Sequence, residues 1–151
     1  MNDVKKLGKK KRIVLIAHDN KKKELAEWVA DNKDALIIHE LYATGTTGKM
    51  IEDIAKTSVN KLMSGPLGGD QQVGSMFAQG YLDIMIFFWD PMESQAHDSD
   101  VKALLRLGAV WNVPLACDRA TADFLITSPY MTNEYNVVMP DYSTYLTRKI
   151  K

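Results

Sequence analysis

"LDIMIFF", residues 82–88, is the most hydrophobic stretch of the chain and the one from which the fold can be predicted. A short apolar run of this kind is typical of a strand that is buried on both faces of a parallel sheet. We therefore predict a central strand here. Four other stretches also predict strands: RIVLIA (12–17), ALIIHELYA (35–43), VNKLMS (59–64) and VPLAC (113–117).

Segments with apolar side chains at helical spacing separate these strands. The predicted helices cover residues 20–33, 46–56, 70–80, 100–112 and 121–128, and Gly80 ends the third of them. Strand and helix thus alternate along the chain, which predicts a doubly wound α/β fold of the Rossmann-like or flavodoxin-like kind. We expect a five-stranded, mainly parallel sheet with helices on both faces.

The composition is that of an ordinary globular domain. The chain has 151 residues, of which 46% are hydrophobic and 25% charged, so one domain with a sizeable core is expected. We predict a basic, flexible tail at 1–11 and a single domain at 12–151. Nineteen Lys and Arg residues balance nineteen Asp and Glu residues, and this zero net charge argues against a nucleic-acid or membrane-surface binder.

Cysteine and histidine usage restricts the class of protein further. The single cysteine, Cys117, excludes an intramolecular disulfide and indicates a cytoplasmic protein. One cysteine and three scattered histidines argue against a structural zinc site. No apolar stretch approaches the ~20 residues that a membrane-spanning helix needs.

Most polar residues that are suited to binding or catalysis follow directly after the predicted strands. In parallel α/β folds, ligands bind beyond the carboxyl ends of the strands, so we expect these residues to converge at one edge of the sheet. In chain order they are His18, Asp19 and Lys22, then TGTTGK (44–49), SGPLGGD (64–70), WDPMESQAHDSD (89–100), and finally Asp118 and Arg119.

The TGTTGK stretch has two interpretations. Its glycines, hydroxyls and helix N-terminus suit an anion such as phosphate, although the spacing of a P-loop is absent. Alternatively, Thr46 or Thr47 caps the helix and needs no ligand. Ser64, Gly65 and Lys22 would supply further phosphate contacts from neighbouring strand ends.

The SGPLGGD stretch places three glycines before Asp70. A turn needs one or two glycines, so three suggest that another molecule approaches this backbone closely. Asp70 is either a helix cap or a functional carboxylate. His18 at a strand end and His97 in a polar loop present the same choice between a structural and a functional role.

Taken together, these groups fit one chemistry. A carboxylate can take a proton from the carbon beside a ketone, and a histidine can manage the oxygens of the resulting enediolate. A set of anion donors can hold a phosphate. The substrate indicated is a small phosphorylated ketone.

The chain resembles the methylglyoxal synthase family. The resemblance lies in IAHDNKK, LYATGTTG, SGPLGGDQQVG, DIMIFFWDP, HDSDVKALLRL, WNVPLA and TADFLI, in that order between about residues 12 and 127. It implies conversion of dihydroxyacetone phosphate to methylglyoxal and inorganic phosphate without cofactor or metal. It also implies a homohexamer in which phosphate is an inhibitor that can induce cooperativity.

The resemblance further implies the roles of individual residues. Asp70 would be the base, and His97, supported by Asp100, would handle the enediolate oxygens. Arg106 would relay the phosphate effect. The substrate-binding residues would be His18, Lys22, Thr44, Gly45, Thr46, Thr47, Ser64, Gly65 and His97.

Two alternatives belong to other classes. A non-catalytic, phosphate-binding regulatory module of the same fold would keep the anion site but would not need Asp70 together with His97. A phospho-acceptor signalling domain needs a nucleophilic aspartate at the end of the third strand, and Ser64 at that position argues against it. The tyrosine-rich C-terminal segment packs either on its own domain or against a second copy.

Overall fold

The computed structural model describes residues 3–93 and 98–148. The strands are β1 (Val4–Leu7), β2 (Arg12–Ala17), β3 (Glu40–Thr44), β4 (Asn60–Leu62), β5 (Ile84–Phe88), β6 (Leu115–Ala116) and β7 (Tyr135–Val138). The helices are α1 (Lys22–Asp31), α2 (Lys33–Leu36), α3 (Gly45–Ala55), α4 (Gly69–Ala78), α5 (Asp98–Val110), α6 (Arg119–Ile126) and α7 (Ser143–Leu146).

Five strands form one parallel sheet in the order β4-β3-β2-β5-β6. The predicted doubly wound α/β fold is therefore confirmed. The strand at residues 82–88 is an interior strand as expected, but the middle position belongs to β2. The chain order reverses between β2 and β5, and in such sheets the crevice at this switch point is the usual ligand site.

Helices cover both faces of this sheet, which explains why the strands are continuously apolar. Alternate side chains of a strand point to opposite faces. Ile13 and Leu15 of β2 pack in the cluster that includes residues of α1, α3 and α6, whereas Val14 and Ile16 pack with α4 and α5. Every position of β5 is consequently buried.

The predicted strand at residues 35–43 begins later than expected, at Glu40. Residues 33–36 instead form α2, and Ile37 and Ile38 are exposed. The pairing with β2 gives the reason, because Arg12 opens β2 and lies opposite Glu40. Residues before Glu40 thus have no partner on that strand.

The N-terminal segment differs from the predicted flexible tail. Val4–Leu7 pairs antiparallel with Tyr135–Val138, and Leu7 is buried. The side chain of Lys5 donates to the carbonyl oxygen of Leu82 at 2.7 Å, which attaches this two-stranded ribbon to the main sheet. The partner strand lies about 130 positions away, so local composition could not reveal the pairing.

The C-terminal segment also contacts its own domain. The hydroxyl of Tyr142 donates to the carbonyl oxygen of Val110 at 2.6 Å, and its ring lies edge-on to Trp111. Tyr130 and Tyr145 nevertheless stay more than half exposed. Within residues 3–93 and 98–148, no helix combines the length and apolarity needed to cross a membrane.

Candidate active site

A cavity of about 140 Å³ lies at the carboxyl edge of the sheet, beside the switch point. Asp70 and all the predicted substrate-binding residues that the structure describes line it. The described residues that line it are Ile16, Ala17, His18, Asp19, Lys22, Thr44, Gly45, Thr46, Thr47, Ser64, Gly65, Pro66, Asp70 and Phe87. The strand ends of β2, β3 and β4 thus converge as the sequence indicated.

The remaining predicted site residues are His97, Asp100 and Arg106. His97 is outside the described residues, and Asp100 belongs to the first turn of α5. Arg106 is on the same helix but borders a separate cavity.

Asp118 and Arg119, which follow β6, do not line the cavity, contrary to expectation. Asp118 caps α6, because its carboxylate accepts the main-chain N–H of Thr121 at 2.7 Å, and this hydrogen bond lowers the pKa of Asp118. Arg119 forms an ion pair with Asp31 at 3.1 Å. Both residues are used locally, at the start of α6 and between helices.

The start of α3 forms one wall of the cavity. Thr44 is the N-cap, with extended backbone angles and no side-chain capping bond. Thr46 and Thr47 lie inside the first helical turn, so the alternative in which either caps the helix is wrong. The first N–H groups of a helix have no acceptor within it, and they are therefore available to an anion at this wall.

Lys22 places a positive charge at the same wall. Its ammonium donates to the hydroxyl of Thr46 at 2.6 Å and lies 2.7 Å from a carboxylate oxygen of Asp19. The Lys22 side chain is only 18% exposed, whereas that of Asp19 is 84% exposed. The start of α1 thereby contributes a cation to the cavity wall that α3 forms.

Gly45 brings the loop after β4 into contact with α3. Its φ of +46° lies in the left-handed region, and a Cβ there would be 2.6 Å from the Cβ of Ser64. A side chain at position 45 would therefore push Ser64 and Gly65 away. The close approach places both residues on the cavity wall.

Two of the three glycines before Asp70 are needed by the fold itself, contrary to the expectation that all three allow a ligand to approach. Gly68 has a φ of +103°, and a Cβ on Gly69 would lie 1.9 Å from the carbonyl oxygen of Met63. These two glycines are thus required by the chain's own turn and packing. For Gly65, which lines the cavity, approach of a ligand to the backbone stays a prediction.

Asp70 lies in the first turn of α4 and is only 3% exposed. Gly68 occupies the N-cap position, so Asp70 is not the cap of this helix. The turn built by Gly68 and Gly69 directs the chain so that this carboxylate reaches the cavity. A negative charge in this position is stabilised by the helix dipole.

His18 ends β2 and is buried beside the cavity. Its Nδ1 accepts the main-chain N–H of Asp90 at 3.0 Å, and its ring lies edge-on to Phe87. Asp90, which follows the fourth predicted strand, is therefore a contact of a cavity residue. Only the pairing of β2 with β5 brings the two together, so no local pattern could have indicated it.

Among the residues that the structure describes, no group of three or more His, Cys, Asp or Glu side chains is arranged to hold a metal ion. The described lining of the cavity offers one buried carboxylate, one histidine, one lysine and several hydroxyl and main-chain donors. Such a set can hold a phosphorylated molecule and exchange protons with it.

Comparisons with known proteins show which family this chain is similar to. The model of the MGS-like domain matches residues 24–117. The methylglyoxal synthase of Saccharophagus degradans is 52% identical over 145 residues, which cover 96% of this chain and 94% of that protein. The methylglyoxal synthase of Leptospira interrogans is 54% identical over 134 residues, covering 89% and 90%.

A solved structure extends the likeness to three dimensions. The crystal structure of methylglyoxal synthase from Elizabethkingia anophelis NUHP1 superposes with a TM-score of 0.94 at 56% identity, covering 99% of this chain and 98% of that one. The chain belongs to the methylglyoxal synthase family of lyases.

Proposed function

We propose that this enzyme converts dihydroxyacetone phosphate to methylglyoxal and inorganic phosphate. The observation that carries the proposal is the position of a buried carboxylate, Asp70, in the same small cavity as the anion donors of α3 and Lys22. The names of the relatives identify the reaction product.

The phosphate of the substrate would bind at the wall formed by α3. Lys22 supplies the positive charge, Thr46 and Thr47 supply hydroxyls, and the first turn of the helix supplies main-chain N–H groups. Thr44, Gly45, Ser64 and Gly65 complete this side of the proposed binding site.

The first chemical step would be removal of a proton from carbon. The Asp70 carboxylate takes a proton from the hydroxyl-bearing carbon beside the ketone, and the electron pair of that C–H bond forms an enediolate. Hydrogen-bond donors stabilise the charge that develops on its oxygens. His18 lies on the cavity and serves as one such donor, and His97 moves protons between the two oxygens with Asp100 in support.

Elimination of phosphate would follow. The electrons of the enediolate form a new carbon–carbon double bond as the carbon–oxygen bond to the phosphate breaks, and inorganic phosphate leaves. The enol that remains takes up a proton on its terminal carbon and becomes methylglyoxal. Atoms balance without cofactor or oxidant, because one molecule of substrate gives one of each product.

The test is an assay of the purified protein with dihydroxyacetone phosphate in which methylglyoxal and inorganic phosphate are both measured. We expect the two products in equal amounts, well above a protein-free control. Glyceraldehyde 3-phosphate without phosphate release would identify an isomerase instead. Phosphate binding without any product would favour the regulatory module.

We also propose that the chain assembles as a homohexamer, with phosphate as an inhibitor that makes the substrate dependence sigmoidal. Arg106 is exposed on α5, the helix whose first turn contains Asp100. It borders a cavity of about 640 Å³ together with Trp111 and Tyr145, where a neighbouring copy could pack.

Arg106→Ala should abolish the sigmoidal response and keep most of the activity at low phosphate, because the substitution lies outside the catalytic cavity. Substrate curves at several phosphate concentrations would measure this. A monomer in light scattering would contradict the assembly. An unchanged phosphate response would exclude Arg106 as the link.

A further inference from the structure

Two hydrogen-bonding groups of Asp90 connect the segments that follow β2 and β5. Asp90 is 6% exposed, and its main-chain N–H donates to Nδ1 of His18 at 3.0 Å. A main-chain N–H can only donate, so Nδ1 must present its lone pair. A neutral imidazole in this position therefore carries its proton on Nε2.

The carboxylate of Asp90 is itself held on both oxygens. Oδ1 accepts the main-chain N–H of Met92 at 3.0 Å, which closes a tight turn. Oδ2 accepts from the side-chain amide of Asn20 at 3.2 Å. Asn20 lies two residues after His18, so this bond bridges the two sides of the switch point.

The main chain of His18 is tied to the same place. Its N–H donates to the carbonyl oxygen of Phe88 at 3.2 Å, in continuation of the pairing between β2 and β5. The main chain of His18 is thus held in place, and Nδ1 is the ring atom that accepts a hydrogen bond from the protein. Asn20 and Asp90 themselves are not among the residues that line the cavity, whereas His18 is.

We infer that Asn20 and Asp90 are positioning residues that hold His18 as the tautomer protonated on Nε2. His18 then donates a hydrogen bond to an oxygen of the bound triose phosphate and does not act as its base. This inference rests on the proposed function for the identity of the ligand. It separates two roles in the cavity, because Asp70 accepts the proton and His18 stabilises the charge that results.

The tautomer can be read directly from the ¹⁵N chemical shifts of the histidine rings in the intact protein. The chain has three histidines, and the ring signal that is missing from His18→Gln identifies position 18. We expect a protonated Nε2 and an unprotonated Nδ1 for neutral His18. A proton on Nδ1 would overturn the inference, whether or not the protein makes methylglyoxal.

The positioning role is tested with substitutions at Asn20. Asn20→Ala removes the donor to Asp90, and we expect kcat/KM for dihydroxyacetone phosphate to fall about tenfold, the scale of one lost hydrogen bond to a charged group. Asn20→Asp has nearly the same size but places a second carboxylate beside Asp90. We expect it to lower kcat/KM further, because like charges repel.

Asn133→Ala is the matched control. Asn133 is also exposed, and its side-chain amide also makes one hydrogen bond, to the carbonyl oxygen of Pro129 far from the cavity. We expect this variant to keep the kcat/KM and the His18 signals of the parent protein. An Asn20→Ala variant that matches it in both readouts would overturn the role of Asn20. An inactive parent protein would contradict the proposed function instead, and the ¹⁵N experiment would still decide the tautomer.

Discussion

The two edges of the parallel sheet each bury a histidine whose Nδ1 accepts a main-chain N–H. At the carboxyl edge, His18 accepts from Asp90 at 3.0 Å, and at the amino edge His39 accepts from Lys11 at 2.8 Å. The two residues are 4% and 5% exposed. His18 lines the catalytic cavity proposed above, whereas His39 does not.

Charged side chains at the amino edge are held by one another and by main-chain carbonyl oxygens. Asp83 accepts from the main chain and the guanidinium of Arg12 and pairs with Lys5 at 3.4 Å. The buried ammonium of Lys11 donates to the carbonyl oxygens of Gly8 and Asn133. These bonds attach the chain ends to the sheet.

The comparison teaches that burial of a polar residue does not by itself mark a functional site. Burial alone would raise the pKa of Asp83, but the hydrogen bonds from Arg12 and the charges of Arg12 and Lys5 together outweigh it, so the pKa lies below its ordinary value. At the carboxyl edge the helices α3 and α4 begin, and their first turns surround a cavity. Donors there face a space that a ligand can enter.

The largest expected effect is on catalysis at the carboxyl edge. Asp70→Asn keeps the size of the side chain and removes the proton acceptor, so turnover should fall by roughly 10²–10⁴-fold, the scale of a positioned acid or base. The melting temperature should hardly change. Near-normal turnover of dihydroxyacetone phosphate would contradict the role of Asp70 as the base.

Asp83→Asn is the matched substitution at the amino edge. It removes a buried negative charge beside Arg12. Because the Arg12 side chain is 31% exposed, the fall in the free energy of unfolding should be smaller than that for breaking a fully buried ion pair. We expect the free energy of unfolding to fall by about 2–3 kcal/mol and kcat to stay unchanged. Urea unfolding and the product assay measure the two quantities. A variant with parental stability but little turnover would contradict the structural role of Asp83 and place it in catalysis instead.

A smaller effect is expected at the proposed phosphate wall. Thr46→Val removes a hydroxyl donor to a charged group, which should weaken binding of substrate and of inhibitory phosphate in parallel, by about 1.5–3 kcal/mol. Thr127→Val is the control, since that hydroxyl donates to the carbonyl oxygens of Asp123 and Phe124 in α6, which do not line the cavity. Unchanged inhibition by phosphate in Thr46→Val would place the phosphate elsewhere.

The smallest effect concerns pH and His39. Burial first, and then the charges of Lys11 and Lys10, lower the pKa of His39 below its ordinary value of 6.5. The unfolded chain then binds the proton more readily than the folded chain. The contribution of neutral His39 to the free energy of unfolding is therefore fully present above pH 6.5 and is lost as the pH falls through the lower folded-state pKa.

His39→Gln should therefore lose less stability than the parent protein between about pH 7.5 and about pH 5.5. Urea unfolding at both values provides the measurement. Equal losses in the two proteins would show that His39 does not contribute to the acid sensitivity.

The sequence predicted the sheet and most of the cavity because both follow from local patterns. Apolar runs indicate buried strands, and the parallel arrangement brings their carboxyl ends to one edge. The ribbon of β1 and β7 and the contact of Asp90 with His18 arise from residues distant in sequence, which no local pattern specifies. The requirement for Gly69 was likewise hidden, because only the folded loop brings the carbonyl oxygen of Met63 beside it.

A titration of the ¹⁵N-labelled protein with inorganic phosphate, followed by the shifts of its main-chain amide signals, tests most directly whether the anion site lies at the carboxyl edge. If phosphate binds at the carboxyl edge, the largest shifts should fall on Gly45, Thr46 and Thr47 in the first turn of α3. The amides of Lys11, Arg12 and Glu40 at the amino edge should move little. Largest shifts at these amino-edge residues, or no shifts at the start of α3, would contradict the account.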